Sequence, residues 1–203
     1  MAAESRTSVR RTLALALALL LGACRSLSPP APGVAEQARV TASLSARLRV
    51  SLRGPQARGR ASVLIAFRRP DALRVEVPGP TGPRLTIVAR GGRLMASFPQ
   101  DRAYWEGEAT AQGLEALLGV ALTPSEVMDL LVGVPPASVR DYRASWGASL
   151  PRKLTASLAD GARLTVVVEE AEVGGALSPR AFEDPPRAGF RPLSNEEVRG
   201  LWR

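Results

Sequence analysis

A sustained alternation of apolar and polar residues across residues 40–53 is the feature that most constrains the fold of this chain. The apolar side chains fall at every second position, at Val40, Ala42, Leu44, Ala46, Leu48, Val50 and Leu52. Threonine, serine and arginine fill the positions between them. Successive side chains of a strand point to opposite faces of a sheet, so this pattern predicts a long antiparallel strand with one solvated face.

The same period of two recurs along the chain and predicts a series of consecutive strands. In the first half of the chain, strands are expected over residues 58–69, 73–77, 85–89, 94–98 and 102–106. After residue 138, strands are expected over residues 139–146, 152–158 and 163–170. The dipeptides Gly91-Gly92 and Asp160-Gly161 favour tight hairpin turns between neighbouring strands. The fold is therefore predicted to be mainly β.

Two short helices are expected midway, where the apolar period changes to that of a helix. Residues 109–118 place leucines on one helical face, and Gly119 follows as a helix-ending residue. The second helix begins with a capping sequence. Thr123 can cap it, Pro124 suits the first helical position, and Glu126 stands where a capping box requires an acid.

The N-terminus has the pattern of a bacterial export signal. Arginines precede an apolar run over residues 12–21, which is too short to span a bilayer. Leu21, Gly22 and Ala23 then lead into Cys24, and this sequence resembles a bacterial lipobox. The resemblance implies cleavage before Cys24 and attachment of acyl chains such as palmitate to that residue. An ordinary signal peptide followed by a chance cysteine is the alternative.

Three segments follow from this interpretation. Residues 1–23 are expected to be the lipoprotein signal peptide, and residues 24–38 the lipidated N-terminus with a flexible, proline-rich tether. Residues 39–203 are expected to form a single domain, which is long enough to bury a substantial core. Cys24 is the only cysteine, so the lipidated chain can form no disulfide.

The composition argues against several classes of function. The chain contains no histidine, which excludes His-dependent triads and His-ligated zinc. No phosphate-binding glycine motif follows a strand, so the chain is expected to be no enzyme and to hold no cofactor or metal. The net charge of +8 comes almost wholly from arginines that alternate with apolar residues, so no nucleic-acid partner is expected. A coding bias explains this charge, and attraction to anionic lipid headgroups is the functional alternative.

Residues 58–136 resemble the LolA/LolB superfamily of lipoprotein-localisation factors, and the LolB branch in particular. The matching segments are residues 73–77 running into 79–82, then 114–119, then 122–126, and finally 130–135 with the sequence Leu-Leu-Val-Gly-Val-Pro. The later residues 182–190 look like the C-terminal strand region of the superfamily. The resemblance covers most of the mature chain in pattern and is close over about half of it.

The resemblance implies both a fold and a function. The superfamily fold is an incomplete antiparallel β-barrel, a half-barrel, covered by a helical lid, and its apolar interior receives acyl chains of lipoproteins crossing the periplasm. This chain would then be a monomeric outer-membrane lipoprotein that faces the periplasm and acts as a lipid-binding chaperone in lipoprotein localisation, a form of protein transport. Its partners would be the membrane, acylated lipoproteins or a similar lipid, and a soluble LolA-like carrier.

Arg25 agrees with an outer-membrane address, because an aspartate at that position usually retains lipoproteins in the inner membrane. An envelope scaffolding lipoprotein is the alternative, with the same fold, a filled core and a protein partner.

The resemblance also implies an apolar cavity inside the sheet. The residues expected to line it are Leu48, Val50, Val63, Ile65, Phe67, Val75, Ile87, Leu117, Val127, Leu130 and Leu131. In the LolB branch, the loop that corresponds to residues 78–83 carries an exposed leucine that assists membrane insertion. Thr81 stands at the tip of that loop here, so the insertion step lacks its apolar residue.

Overall fold

The computed structural model describes residues 30–54 and 58–201. The signal peptide, the lipobox residues Leu21, Gly22 and Ala23, and Cys24 lie outside these residues. Within them, no helix is long and apolar enough to span a bilayer. The elements are α1 (Val34–Arg39), β1 (Ser43–Arg53), β2 (Arg58–Arg68), β3 (Ala72–Gly79), β4 (Gly82–Arg90), β5 (Arg93–Phe98), β6 (Ala103–Glu108), α2 (Ala111–Leu118), α3 (Pro124–Leu131), β7 (Val139–Trp146), β8 (Pro151–Leu158), β9 (Arg163–Val173), β10 (Arg191–Pro192) and α4 (Asn195–Gly200).

All ten strands form one open sheet in the order β10-β6-β5-β4-β3-β2-β1-β9-β8-β7. Consecutive strands from β1 to β6 pair antiparallel, and so do those from β7 to β9. The two series meet where β9 pairs antiparallel with β1. The first strand of the chain therefore lies in the interior of the sheet. The mainly β fold with short helices is confirmed.

The alternation that predicted β1 matches its burial. Leu44, Leu48 and Leu52 are buried on one face, which we call the inner face, while Arg47 and Arg49 are exposed on the other. The register of β1 against β9 shifts between Arg47 and Leu48, which leaves an extra residue on β9. A bulge of this kind bends the sheet and increases its twist.

The helix ends follow the capping signals. The Thr123 side chain accepts a hydrogen bond from the Glu126 amide, and the Glu126 carboxylate accepts one from the Thr123 amide at 2.7 Å. Gly119 ends α2 in the left-handed conformation, with φ of 67°. Thr110 caps the start of α2 by accepting from the Gly113 amide, so this helix begins slightly later than the sequence predicts.

The main core lies between the inner face and the helices. Phe67, Ile87 and Leu117 are each 0% exposed at its centre. Close packing of this kind at one end of the sheet leaves little free space there.

The tether is shorter than the sequence predicts. Residues 34–39 form α1 instead of extended chain, and Ala38 is buried in the main core at 1% exposure. The small Ala38 side chain lets the helix backbone approach the core closely. The domain therefore begins before residue 39, because α1 packs as part of it.

The C-terminal segment crosses the outer face of the sheet. Phe182, at the end of a 3₁₀ helix (Pro179–Phe182), is 0% exposed and lies 5.3 Å from the Arg68 guanidinium. Ser97 donates a hydrogen bond to the Pro186 carbonyl oxygen at 3.3 Å. Residues 182–190 form no strand, and only β10 pairs with the sheet, in parallel with β6. Prolines 185 and 186 remove amide donors that a strand would need.

Candidate functional site

An apolar cavity of about 260 Å³ lies between the inner face and the two central helices. Its floor is formed by β9, β1, β2 and β3, and its roof by α2, α3 and the segment that connects them. The lining residues are Leu48, Val50, Leu52, Arg58, Gly59, Arg60, Ala61, Val63, Ile65, Val75, Val77, Leu114, Leu118, Val120, Leu122, Val127, Leu130, Leu131, Leu164 and Val166.

The structure brings most of the sequence-predicted lining residues to this cavity. Those that line it are Leu48, Val50, Val63, Ile65, Val75, Val127, Leu130 and Leu131. The other three, Phe67, Ile87 and Leu117, are fully buried in the packed part of the core and do not line the cavity. Phe67 and Ile87 face the same side of the sheet as the lining residues, and Leu117 lies on α2, but all three lie where neighbouring side chains occupy the space.

Twelve of the twenty lining residues are not among those that the sequence predicts. Leu164 and Val166 belong to β9, which reaches the cavity only because it pairs with β1. Val120 and Leu122 come from the connection between the helices, where no period marks a buried face. The alternation within β9 was visible in the sequence, but its pairing with the first strand of the domain was not.

The cavity opens at the hairpin end of β1 and β2. Exposure rises along the inner face of β2 toward that end, from 0% at Phe67 through 6% at Ile65 to 8% at Val63. Ala61 is half-buried and Gly59 is exposed. A Cβ atom placed on Gly59 would meet no atom within 4 Å, so the chain leaves this position open.

The wall of the cavity is hydrocarbon except at its mouth. Arg58 and Arg60 are the only charged residues among those of the described chain that line it. No carboxylate lines it, and within residues 30–54 and 58–201 no group of three or more potential ligands is placed to hold a metal ion. The arrangement can therefore hold an apolar chain away from water.

The helical roof is held by a polar network at the start of α3. Burial raises the pKa of Glu126, and hydrogen bonds from Ser138 and Thr123 outweigh that effect, so the pKa lies below its ordinary value of 4.5. Ser138 donates to the Glu126 carboxylate at 2.6 Å. At the other end of the helix, Asp129 accepts a hydrogen bond from Arg69 at 2.6 Å. Both ends of α3 are thus anchored by charged contacts.

Two other clefts contrast with the cavity. One of about 500 Å³ lies on the outer face, where Arg74 pairs with Glu76 at 3.0 Å and Arg47 with Glu170 at 3.6 Å. Another of about 250 Å³ lies beside Trp105 and is lined largely by polar groups. The inner cavity alone among these three has an almost wholly apolar wall.

The loop that contains Thr81 is shorter than the sequence predicts. β3 runs to Gly79 and β4 starts at Gly82, so only Pro80 and Thr81 connect them, and both are exposed. Residues 78 and 83 belong to the strands, because the prolines at those positions can occupy places that donate no ladder hydrogen bond.

Fold and cavity together define this chain as an open, largely antiparallel sheet that holds an apolar cavity beneath two helices. Among solved structures it is similar to a LolA superfamily protein from Nitrosomonas europaea, with 9% identity and a TM-score of 0.43. The similarity covers 77% of this chain and 99% of that one. No family model matches the chain, and no curated protein matches it.

Proposed function

We propose that this protein is an outer-membrane lipoprotein, facing the periplasm, that binds acyl chains in its inner cavity and assists the localisation of lipoproteins or a similar lipid. The single observation that carries the proposal is the apolar cavity of about 260 Å³ on the inner face. The lipobox-like sequence ending at Cys24 supports the membrane anchor. The helices α2 and α3 would serve as the lid over the bound chain.

The cost of the empty space supports a ligand. Cavities in protein cores destabilise by about 24 cal/mol per Å³, so a closed space of this size would cost on the order of 6 kcal/mol. The whole stability of a typical domain is about 5–15 kcal/mol. Because the cavity is open at its mouth, the actual penalty is smaller than this figure. A protein with no use for the space would still become more stable if larger side chains filled it.

The chemistry of the wall supports hydrocarbon as the occupant. A polar group placed inside would find no partner there and would lose its hydrogen bonds to water. Each methylene group buried from water contributes about 0.8 kcal/mol. A chain of about ten methylenes thus gains on the order of 8 kcal/mol before the cost of association is subtracted. Release would follow when a more apolar environment competes for the chain.

Native mass spectrometry tests this proposal. The protein is produced from its full gene in a Gram-negative host with Cys24→Ser, so that no attached lipid competes for the cavity. A triacylated peptide is then added, and we expect a one-to-one adduct with the peptide or with co-purified lipid. No adduct would contradict acyl-chain binding and would favour the scaffolding alternative with a protein partner.

Adjacent positions on β2 provide a matched pair of variants. Ile65→Lys places a charge in the cavity wall, whereas Ala66→Lys places the same charge on the outer face. We expect the first to abolish the adduct and the second to keep it. Leu130→Asp introduces a charge from the roof and is expected to act like Ile65→Lys. Circular dichroism checks that each variant is folded, and equal adducts from all three variants would exclude this cavity as the site.

A further inference from the structure

Four arginines gather at the end of the sheet where the cavity opens. Arg53 on β1 lies directly opposite Arg58 on β2 and Arg163 on β9 in the two strand registers. Arg60 follows two residues further along β2, and all four residues are exposed. We call Arg53, Arg58, Arg60 and Arg163 the arginine rim.

The side chains of the arginine rim start from the outer face of the sheet, as those of Arg47 and Arg49 do, but the rim lacks the partners that Arg47 and Arg49 have. Arg47 pairs with Glu170 at 3.6 Å, and Arg49 pairs with Glu169. In the described part of the chain, no residue of the arginine rim forms an ion pair. Like charges directly opposite one another on neighbouring strands destabilise a sheet. The row of arginines therefore carries a cost that an anion would relieve.

The position of the rim ties it to the cavity. Arg58 and Arg60 line the mouth, and they flank Gly59, whose missing side chain leaves the opening clear. A chain that fills the space along β1 and β2 would leave the cavity at the end of the sheet, where Arg58 and Arg60 line the mouth. Its polar end would then lie next to the arginine rim and meet no carboxylate of the cavity lining.

We propose that the ligand of this cavity is an amphiphile with an anionic head group, a phosphate or a carboxylate, held by the arginine rim. The proposal rests on the proposed acyl-chain binding and adds the chemistry of the polar end. Guanidinium groups form charge-assisted, often bidentate hydrogen bonds with both kinds of anion. A neutral head group would leave the rim unneutralised, and a cationic one would be repelled.

Calorimetric titration with matched probes tests the head-group preference. The Cys24→Ser protein from the full gene is titrated, below the micelle concentration, with dodecyl phosphate, dodecanoate, dodecanol and dodecylamine, which share one chain length. We expect at least one of the two anionic probes to bind about tenfold tighter than dodecanol, with dodecylamine weakest, and added salt to reduce the difference. The tighter of the two anionic probes identifies the preferred head group.

Two double variants separate the rim from general positive charge. Arg58→Gln with Arg60→Gln removes the charges at the mouth, and we expect affinity for the preferred anionic probe to fall about tenfold while that for dodecanol is unchanged. Arg47→Gln with Arg49→Gln removes the same charge from the paired arginines of the outer face. This control is expected to keep the preference, and an equal loss in both double variants would overturn the role of the rim.

Gly59→Trp distinguishes failure of this inference from failure of the cavity itself. A Cβ atom at Gly59 meets no other atom within 4 Å, so a tryptophan can be attached there, and we expect it to obstruct the mouth and weaken binding of every chain-bearing probe. Equal binding of anionic and neutral probes to the unsubstituted arginines would overturn the anionic head group but leave acyl-chain binding intact. Inorganic phosphate that binds as tightly as dodecyl phosphate would also overturn it. Absence of binding by every chain-bearing probe would overturn the proposed function.

Discussion

Three valines in the cavity wall allow the empty space to be tested by filling it. Val63 on β2, Val75 on β3 and Val127 on α3 all line the cavity. Changing all three to isoleucine adds one methylene group at each position and keeps the β-branched shape that each backbone already accommodates. The added groups should extend into free space, so we expect a more stable protein that binds acyl chains more weakly.

The size of both effects follows from the cavity. A methylene is similar in size to a water molecule, which occupies about 30 Å³ in the liquid, so three of them take roughly a third of the 260 Å³. Each buried methylene contributes about 0.8 kcal/mol, which raises the free energy of unfolding by up to about 2.4 kcal/mol. Displacing three methylenes of a bound chain costs a similar energy, on the order of fiftyfold in affinity.

Urea denaturation measures the first effect, and calorimetric titration with dodecanol measures the second. Val88→Ile is the matched control, because Val88 is 2% exposed on the opposite face of β4. There the same added methylene overpacks the structure, and we expect a loss of about 1–3 kcal/mol. If the triple variant loses stability in the same way, the space is not available and the reasoning from the cavity is refuted.

Two further predictions concern the polar groups Glu126 and Tyr142. Glu126→Gln should cost about 1 kcal/mol near neutral pH, because the hydrogen bonds that Glu126 accepts from Thr123 and Ser138 lose their charged acceptor. Because the pKa of Glu126 in the folded protein lies below 4.5, its charge stabilises the fold above pH 4.5. This contribution is lost as pH falls through the folded pKa. A stability loss in Glu126→Gln that persists in acid would therefore contradict the lowered pKa. The Tyr142 hydroxyl is buried without a hydrogen-bond partner among the described residues, and burial raises its pKa to about 12. Tyr142→Phe should therefore leave the free energy of unfolding unchanged or raise it by up to about 1 kcal/mol. A clear loss of stability in urea denaturation would contradict this prediction and show that the hydroxyl has a hydrogen-bond partner.

Much of the secondary structure could be predicted because its signals are local. The alternation that ends at Arg53 depends only on which side each residue faces, and β1 has the inner and outer residues that it implies. Thr123, Pro124 and Glu126 form their capping box within a single turn of chain, and the structure confirms it. Gly119 likewise ends α2 as predicted, because only the conformation of that residue is required.

Elements without a strong period were harder to predict. The proline-rich segment before residue 39 has the composition of a tether, yet it ends in α1 because Ala38 finds a place in the core. Residues 78–83 have the composition of a loop, yet strand pairing continues through most of them. In both cases contacts with distant residues outweigh the local preference of the sequence.

Local sequence was sufficient to assign the apolar face of β1, and most of the residues predicted to face the cavity do line it. Tertiary structure decided how deep each residue lies, so that Ile65 borders free space while Phe67, two residues along the same face, is packed. It also placed β9 beside β1 and so brought Arg163 opposite Arg53, at the end of the sheet where the cavity opens. The physical reason is that side-chain direction depends on neighbouring residues along the chain, whereas packing depth and strand pairing depend on which distant segments occupy the remaining space.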